Sequence, residues 1–137
     1  MATIDIRLFN IEDYDLALEL WQHAGLALRP GDDKPSLLRT LERNPGLSLV
    51  ACADGEIIGT AIGTFDGRRG HLYHLAVLPA CQGQGVGRRL IDEVAKRLVA
   101  LGCPQLNLSV NLDNANAIKF YEAIGFETRG YMMSKTL

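Results

Sequence analysis

Residues 75–90 read LAVLPACQGQGVGRRL, and the interpretation of the whole chain turns on them. The apolar LAV (Leu75, Ala76, Val77) closes a strand-like run. Three glycines, Gly83, Gly85 and Gly87, follow within five residues, and Arg88 and Arg89 then open a periodic apolar stretch. Glycine loses more conformational freedom on folding than any other residue, so a cluster of it where a helix must begin signals a backbone requirement. A strand, a glycine-rich turn and a helix N-terminus together make an anion site. The first helical turn leaves N–H groups without partners, and its dipole favours negative charge. Glycines let those groups converge on a phosphate with no Cβ in the way.

Spacing narrows the choice of ligand. A nucleoside triphosphate loop requires GxxxxGK[ST], and no Gly-Lys-Ser/Thr occurs here. A dinucleotide fingerprint requires GxGxxG, whereas these glycines run GxGxG in the middle of the chain. The spacing that fits is Gln82-x-x-Gly85-x-Gly87, following LAV and a proline.

Working outward from this loop, the pattern predicts alternating strands and helices. Ile4, Ile6 and Leu8 alternate as a first strand. Asn10 caps a helix with Glu12, Asp13 and Asp15 in its first turn and Leu16, Leu20 and Trp21 along one face. The segment GLALRPGDDKPS is a loop, and a short helix runs from about Pro35 to Arg43. Asp54-Gly55 between LSLVACA and EIIGTAIGTF predicts a β-hairpin. HLYHLAV is the strand entering the loop. From Gly85 to about Leu101, Leu90, Ile91, Val94, Ala95 and Leu98 follow helical spacing. QLNLSVN reads as a strand, Asn114 to about Ala123 as a helix, and 126–129 and 131–136 as two further weak strands. This order predicts a mixed sheet with helices on both faces.

Length and composition set the frame. At 137 residues, 47% hydrophobic, the chain is expected to form one domain spanning 1–137. The net charge of −2 is uneven: residues 1–69 hold 7 Lys/Arg against 11 Asp/Glu, and residues 70–137 hold 7 against 5. The basic excess lies in the half that carries the glycine loop, which suits an anionic ligand, yet a solvated surface with random bias would look the same. No dense basic patch points to nucleic acid. Cys52, Cys81 and Cys103 lie far apart without metal-ligand spacing, so free thiols in a reducing cytoplasm are expected, with no metal. Cys81, beside the loop, lacks a partner base in the sequence. Neither a signal peptide nor an apolar run long enough to span a bilayer is visible, so no membrane association is expected.

A second segment completes the picture. Asn114 to Phe126, NANAIKFYEAIGF, fits NxxAxxxYExxGF at each defined position. With [QR]xxGx[GA] upstream, the chain resembles the GNAT superfamily, the Gcn5-related N-acetyltransferases that bind acetyl-CoA. The resemblance covers essentially the whole chain. It implies an α/β (α+β) GNAT fold whose mixed central sheet of about seven strands splays after the fourth and is flanked by about four helices. It also implies transfer of an acetyl group from acetyl-CoA to a primary amine by direct attack in a ternary complex. A small-molecule acceptor is expected, because the chain carries no large insert.

The site residues follow by position. The strand-end backbone of Leu75, Ala76 and Val77 would pair with the pantetheine amides. The loop amides of Gln82, Gly83, Gln84, Gly85, Val86 and Gly87, with Arg88, would hold the pyrophosphate. Asn114 and Ala117 would line the other side of the coenzyme arm, and Tyr121 matches the tyrosine near the thioester sulfur. A tyrosine packed with Phe120 and Phe126 is the alternative for Tyr121. The alternative for the whole chain is a domain that binds acetyl-CoA without turnover, as a sensor or partner.

Amide formation requires a neutral amine, stabilisation of the oxyanion and a proton for the thiolate. The backbone N–H near Val77 could serve the oxyanion, and Tyr121 could supply the proton. An alkyl amine has a pKa of about 10.4 and must lose a proton first. Some family members place a glutamate for this at the position of His71 and others at that of Ser109; neither carboxylate is present. His71 and Tyr73 stand two apart on one strand face, resembling the histidine pair of arylalkylamine acetyltransferases. An ordinary polar residue at a strand start is the competing reading of His71. His74, of opposite parity, is expected on the other face. Glu56 reads as turn polarity. Asp32 and Asp33 could hold a cationic amine or form a turn, and Arg29 could hold a carboxylate. The sequence leaves open the acceptor, the general base and whether the chain is a monomer or a homodimer.

Overall fold

The Asp54-Gly55 turn fixes the middle of the sheet. In the computed structural model, which describes residues 3–137, the two residues have φ of 51° and 77°. Positive φ at both positions is what a type I′ hairpin turn requires. The turn joins β2 (Leu49–Ala53) to β3 (Glu56–Phe65), with Ala53 opposite Glu56. β1 (Ile4–Leu8) pairs antiparallel with β2, and β4 (Gly70–Val77) antiparallel with β3. The short β5 (Leu106–Leu108) runs parallel beside β4, so the sheet order is β1-β2-β3-β4-β5. Four helices accompany it: α1 (Tyr14–His23), α2 (Lys34–Arg43), α3 (Val86–Ala100) and α4 (Ala115–Ala123).

The sheet has five strands among the described residues, against about seven expected. Residues 126–136 form no ladder with any of the described residues, and Tyr131, Met132 and Met133 are exposed. A strand exists only where its N–H and C=O groups find a neighbour, and alternation in so short a segment does not supply one. β5 is likewise shorter than its alternating sequence suggested. The chain divides into two compact units, Met1–Asn107 and Leu108–Leu137. The first carries α1 to α3 with β1 to β4, and the second carries α4.

The two faces of the sheet in the first unit are covered differently. α3 lays the buried stripe Val86, Leu90, Ile91, Val94 and Leu98 on one face. Two glycines of β3 admit this close approach. A Cβ at Gly63 would lie 3.1 Å from Val94 Cγ1, and one at Gly59 would lie 3.1 Å from Leu90 Cδ1. On the opposite face, α1 and α2 bury Tyr14, Ala17, Leu20, Trp21 and Leu37 against Phe9, Val50, Ile62 and Ala76. Within this layer the indole N–H of Trp21 donates to Thr60 Oγ1 at 2.9 Å, and the Thr60 hydroxyl donates to the His74 carbonyl at 2.8 Å. A fully buried hydroxyl is thereby satisfied twice.

The entry to α1 carries a buried charge. Asp13 ends a 3-10 turn, Ile11–Asp13, and accepts two bonds from the Arg7 guanidinium at 2.8 and 3.0 Å and one from the Asn10 amide at 2.9 Å. The Arg7 hydrogen bonds hold the Asp13 carboxyl below its ordinary range, against the opposing effect of burial. An unfolded aspartate titrates near 3.9. The stabilisation is therefore complete above about pH 4 and is lost as pH falls through the lower folded-state value. Asp13→Asn should lower stability at neutral pH by about 1–2 kcal/mol, the modest figure reflecting a half-exposed Arg7. Urea midpoints for wild type and variant should converge as pH drops below 4.

Candidate functional site

β4 ends at Val77, and Leu78 enters a 3-10 turn over Pro79–Cys81. The Gln82 side-chain amide donates back to the Val77 carbonyl at 3.1 Å, tying the loop to the strand end. Gly83 and Gly85 then adopt φ of 79° and 80°. A Cβ at either would meet nothing within 4 Å, so it is the left-handed backbone, not space, that calls for glycine there. Gly85 is the N-cap of α3 and offers no side chain to the first turn. The first bond into this end is that from the Arg89 amide to the Gly85 carbonyl at 3.0 Å. Among the described residues, no N–H group from Gly83 to Arg88 is engaged within the chain. A run of unengaged amides at a helix N-terminus, exposed from Gly83 to Gly85 and turning inward at Val86, is the expected anion receptor.

The two arginines differ. Arg88 Nε lies 3.2 Å from both oxygens of Asp92 one turn along α3, an exposed pair of little strength. Arg89 reaches the Ile4 carbonyl at 3.2 Å, anchoring α3 to β1. Cys81 is half-buried within the 3-10 turn.

On β4, His71 and Tyr73 share a face as their spacing predicts, their rings stacked at 6.0 Å with planes 18° apart. Their cross-strand partners are Thr64 and Ile62, and Ile62 belongs to the layer under α1 and α2. His74 does not lie on the other face as alternation implied. The β3–β4 register shifts between Thr60 and Ile62, and His74 sits at φ 49°, so a bulge breaks the period of two. Its ring packs edge-on to Trp21 at 4.4 Å, on the same α1/α2 face as His71 and Tyr73.

His74 also has a partner that sequence reasoning missed. Its Nε2 lies 3.0 Å from Asp32 Oδ1, both side chains largely buried. The second Asp32 oxygen accepts the Arg29 amide at 2.8 Å, and the Asp32 carbonyl accepts the Tyr14 hydroxyl at 2.7 Å. Asp33 caps α2, accepting the Ser36 amide at 3.3 Å and its hydroxyl at 2.7 Å. Both aspartates therefore form turns, and the Arg29 side chain is exposed. Glu56 stays at the hairpin turn and Ser109 is exposed.

The second motif is explained in part by its own helix. Asn114 is the N-cap of α4, its Oδ1 accepting the Ala117 amide at 3.2 Å. Gly125, at φ 104°, ends the helix, with the Gly125 amide bonded to the Glu122 carbonyl and the Phe126 amide to the Tyr121 carbonyl. This is the Schellman pattern, and Phe126 packs on Tyr121 at 5.6 Å, with Phe120 at 5.2 Å from the same ring. Burial pushes the Tyr121 phenol above its ordinary range, so it stays protonated.

Comparison with known proteins follows the same lines. The model of the acetyltransferase (GNAT) family matches residues 10–126. An acetyltransferase of Yersinia pestis (strain Pestoides F) is 40% identical over 131 residues, 95% of this chain and 92% of the relative. Among solved structures, a ribosomal-protein alanine N-acetyltransferase from Escherichia coli is 26% identical with a TM-score of 0.81, covering 93% of this chain and 80% of that one. The PaiA N-acetyltransferase of Thermoplasma acidophilum, in complex with coenzyme A, gives the same identity and TM-score over 93% and 91%. The fold agrees with that of these solved structures, and the family match and the 40% identical relative show that the chain belongs to the GNAT acetyltransferase family.

Proposed function

We propose that the chain works as one domain that binds acetyl-CoA at the β4–loop–α3 junction and moves its acetyl group to a primary amine of a small molecule. The observation that carries this is the run of unengaged amides from Gly83 to Arg88, shaped by two left-handed glycines. Such a cradle fits a pyrophosphate, and Arg88 can leave its weak pair with Asp92 to add a charge-assisted bond. The coenzyme A bound to the PaiA relative supports this choice of ligand. When bound, acetyl-CoA supplies an acyl group activated as a thioester. Leu75, Ala76 and Val77 would align the pantetheine arm along β4; Asn114 and Ala117, at the start of α4, are the second motif's candidates for the coenzyme arm.

His71 and Tyr73 lie on the β4 face that α1 and α2 cover, and His71 would take the proton of the amine, directly or through water. Tyr121, whose phenol is kept protonated by burial, would donate toward the departing sulfur. The pH profile of kcat/KM should have an ascending limb that is altered in His71→Gln, with the acetyl-CoA dissociation constant retained. An unaltered limb returns His71 to a plain strand position.

The reading as a whole is tested by thiol release from acetyl-CoA across a panel of amino acids, polyamines, aminoglycosides and peptide N-termini, with mass spectrometry of the products. We expect acetylation of a small amine. Acetylation of peptides alone overturns the small-molecule assignment, and tight acetyl-CoA binding with no release on any amine favours a sensor.

A further inference from the structure

The contact between His74 and Asp32 joins two parts of the chain that the sequence keeps apart. His74 lies at the β4 bulge, one residue beyond Tyr73, in a left-handed conformation uncommon for a residue with a Cβ. Both ends of the residue are held. Its carbonyl accepts the Thr60 hydroxyl, which in turn accepts the Trp21 indole N–H. Its ring lies between Trp21 and Asp32. Asp32, for its part, closes the loop between α1 and α2 on itself, through the Arg29 amide on one carboxylate oxygen and the return bond from its own amide to the Arg29 carbonyl at 3.1 Å. The loop thus reaches the β4 face that bears His71 and Tyr73, and Asp32 Oδ1 to His74 Nε2 is its polar tie to that strand. A strained residue at a bulge, held by a buried polar contact to a loop, is a device for fixing the loop's position.

We propose that His74 is a positioning residue which, through Asp32, fixes the 24–33 loop as the wall of the amine-acceptor site. This rests on the transfer reading above, with His71 and Tyr73 facing the amine. The pair sets acceptor affinity and leaves acetyl-CoA affinity alone, because Leu75 to Val77 would meet pantetheine through backbone groups and the pyrophosphate cradle from Gly83 to Arg88 uses neither side chain.

The test compares His74→Ala, His74→Gln and Asp32→Ala in the full chain. Glutamine keeps an N–H donor near the position of Nε2, and it meets about the same left-handed backbone strain as alanine, so the difference between the two variants reads the side-chain bond. For the amine with the highest turnover in the panel, His74→Ala and Asp32→Ala should each raise KM roughly tenfold, as for losing a hydrogen bond to a charged group. Kcat should change little, and acetyl-CoA affinity should hold. His74→Gln should recover most of the loss, and the double alanine variant should be no worse than either single one. Amide exchange at Arg29 and Asp32 should quicken in His74→Ala. Unchanged acceptor KM in His74→Ala, an equal loss in His74→Gln, or a matching loss of acetyl-CoA affinity would each overturn the proposal. Were the wild type to acetylate no amine, the transfer reading would fall, while unchanged exchange at Arg29 and Asp32 would separately refute the tie between His74 and the loop.

Discussion

Gly85→Val is expected to weaken acetyl-CoA binding by about 5- to 150-fold while the domain remains folded. Gly85 holds φ at 80° as the N-cap of α3, and a β-branched residue there is forced either into strain of about 1–3 kcal/mol or out of the left-handed region. Leaving that region turns the neighbouring amides away from their common focus. No buried side chain touches the position, since a Cβ there meets nothing within 4 Å. The α3 stripe and the sheet should therefore survive, with a cooperative melt and an unchanged far-UV spectrum. Gly85→Ala should show an intermediate loss. Gly87→Val, one turn position further, tests space in front of the amides instead of backbone conformation. Calorimetry reads all three, and wild-type affinity in folded Gly85→Val and Gly87→Val would remove the loop from the coenzyme site.

Tyr121→Phe should lower turnover by about 10²–10⁴-fold if the phenol donates a proton to the leaving sulfur. The substitution keeps the ring between Phe120 and Phe126 and leaves the Schellman bonds of the helix end untouched, because these are backbone bonds. Stability and acetyl-CoA affinity should accordingly hold. The raised phenol pKa has its own consequence: acid assistance should persist well into the alkaline range before the descending limb of the pH profile. Wild-type turnover in the Phe variant, with chemistry shown to be rate-limiting, would make Tyr121 a packing residue only.

Local signals carried most of the fold. Asp54-Gly55 permits few alternatives to a two-residue hairpin, and the stripe from Leu90 to Leu98 permits none to an amphipathic helix once Gly85 and Gly102 bound it. The glycine loop was legible for the same reason, since its residues act through backbone geometry encoded within a few positions. What failed depended on distant partners. The segments at 126–129 and 131–136 alternate weakly, but a strand is defined by its neighbour, and none of the described residues pairs with them. Parity puts His74 on the wrong face because it assumes an unbroken ladder. The bulge that breaks it is stabilised by Thr60 and Trp21, 14 and 53 residues away in sequence. Asp32 reads as a turn former, which it is; that its Oδ1 also engages His74 follows only from the same bulge. Asn114 and Gly125, read as parts of a coenzyme motif, also serve as the two caps of α4.

The central claim is that the amides opening α3 receive the coenzyme's phosphates. An amide-resolved NMR titration with acetyl-CoA tests it most directly, with dephospho-CoA and the adenine-free pantetheine fragment as separate arms. The account predicts saturable shifts concentrated on the Gly83 to Arg88 amides for both phosphate-bearing ligands, smaller ones on Leu75 to Val77, and loss of the loop shifts alone with pantetheine. Saturable binding that leaves the Gly83 to Arg88 amides unmoved while shifting residues elsewhere would contradict it.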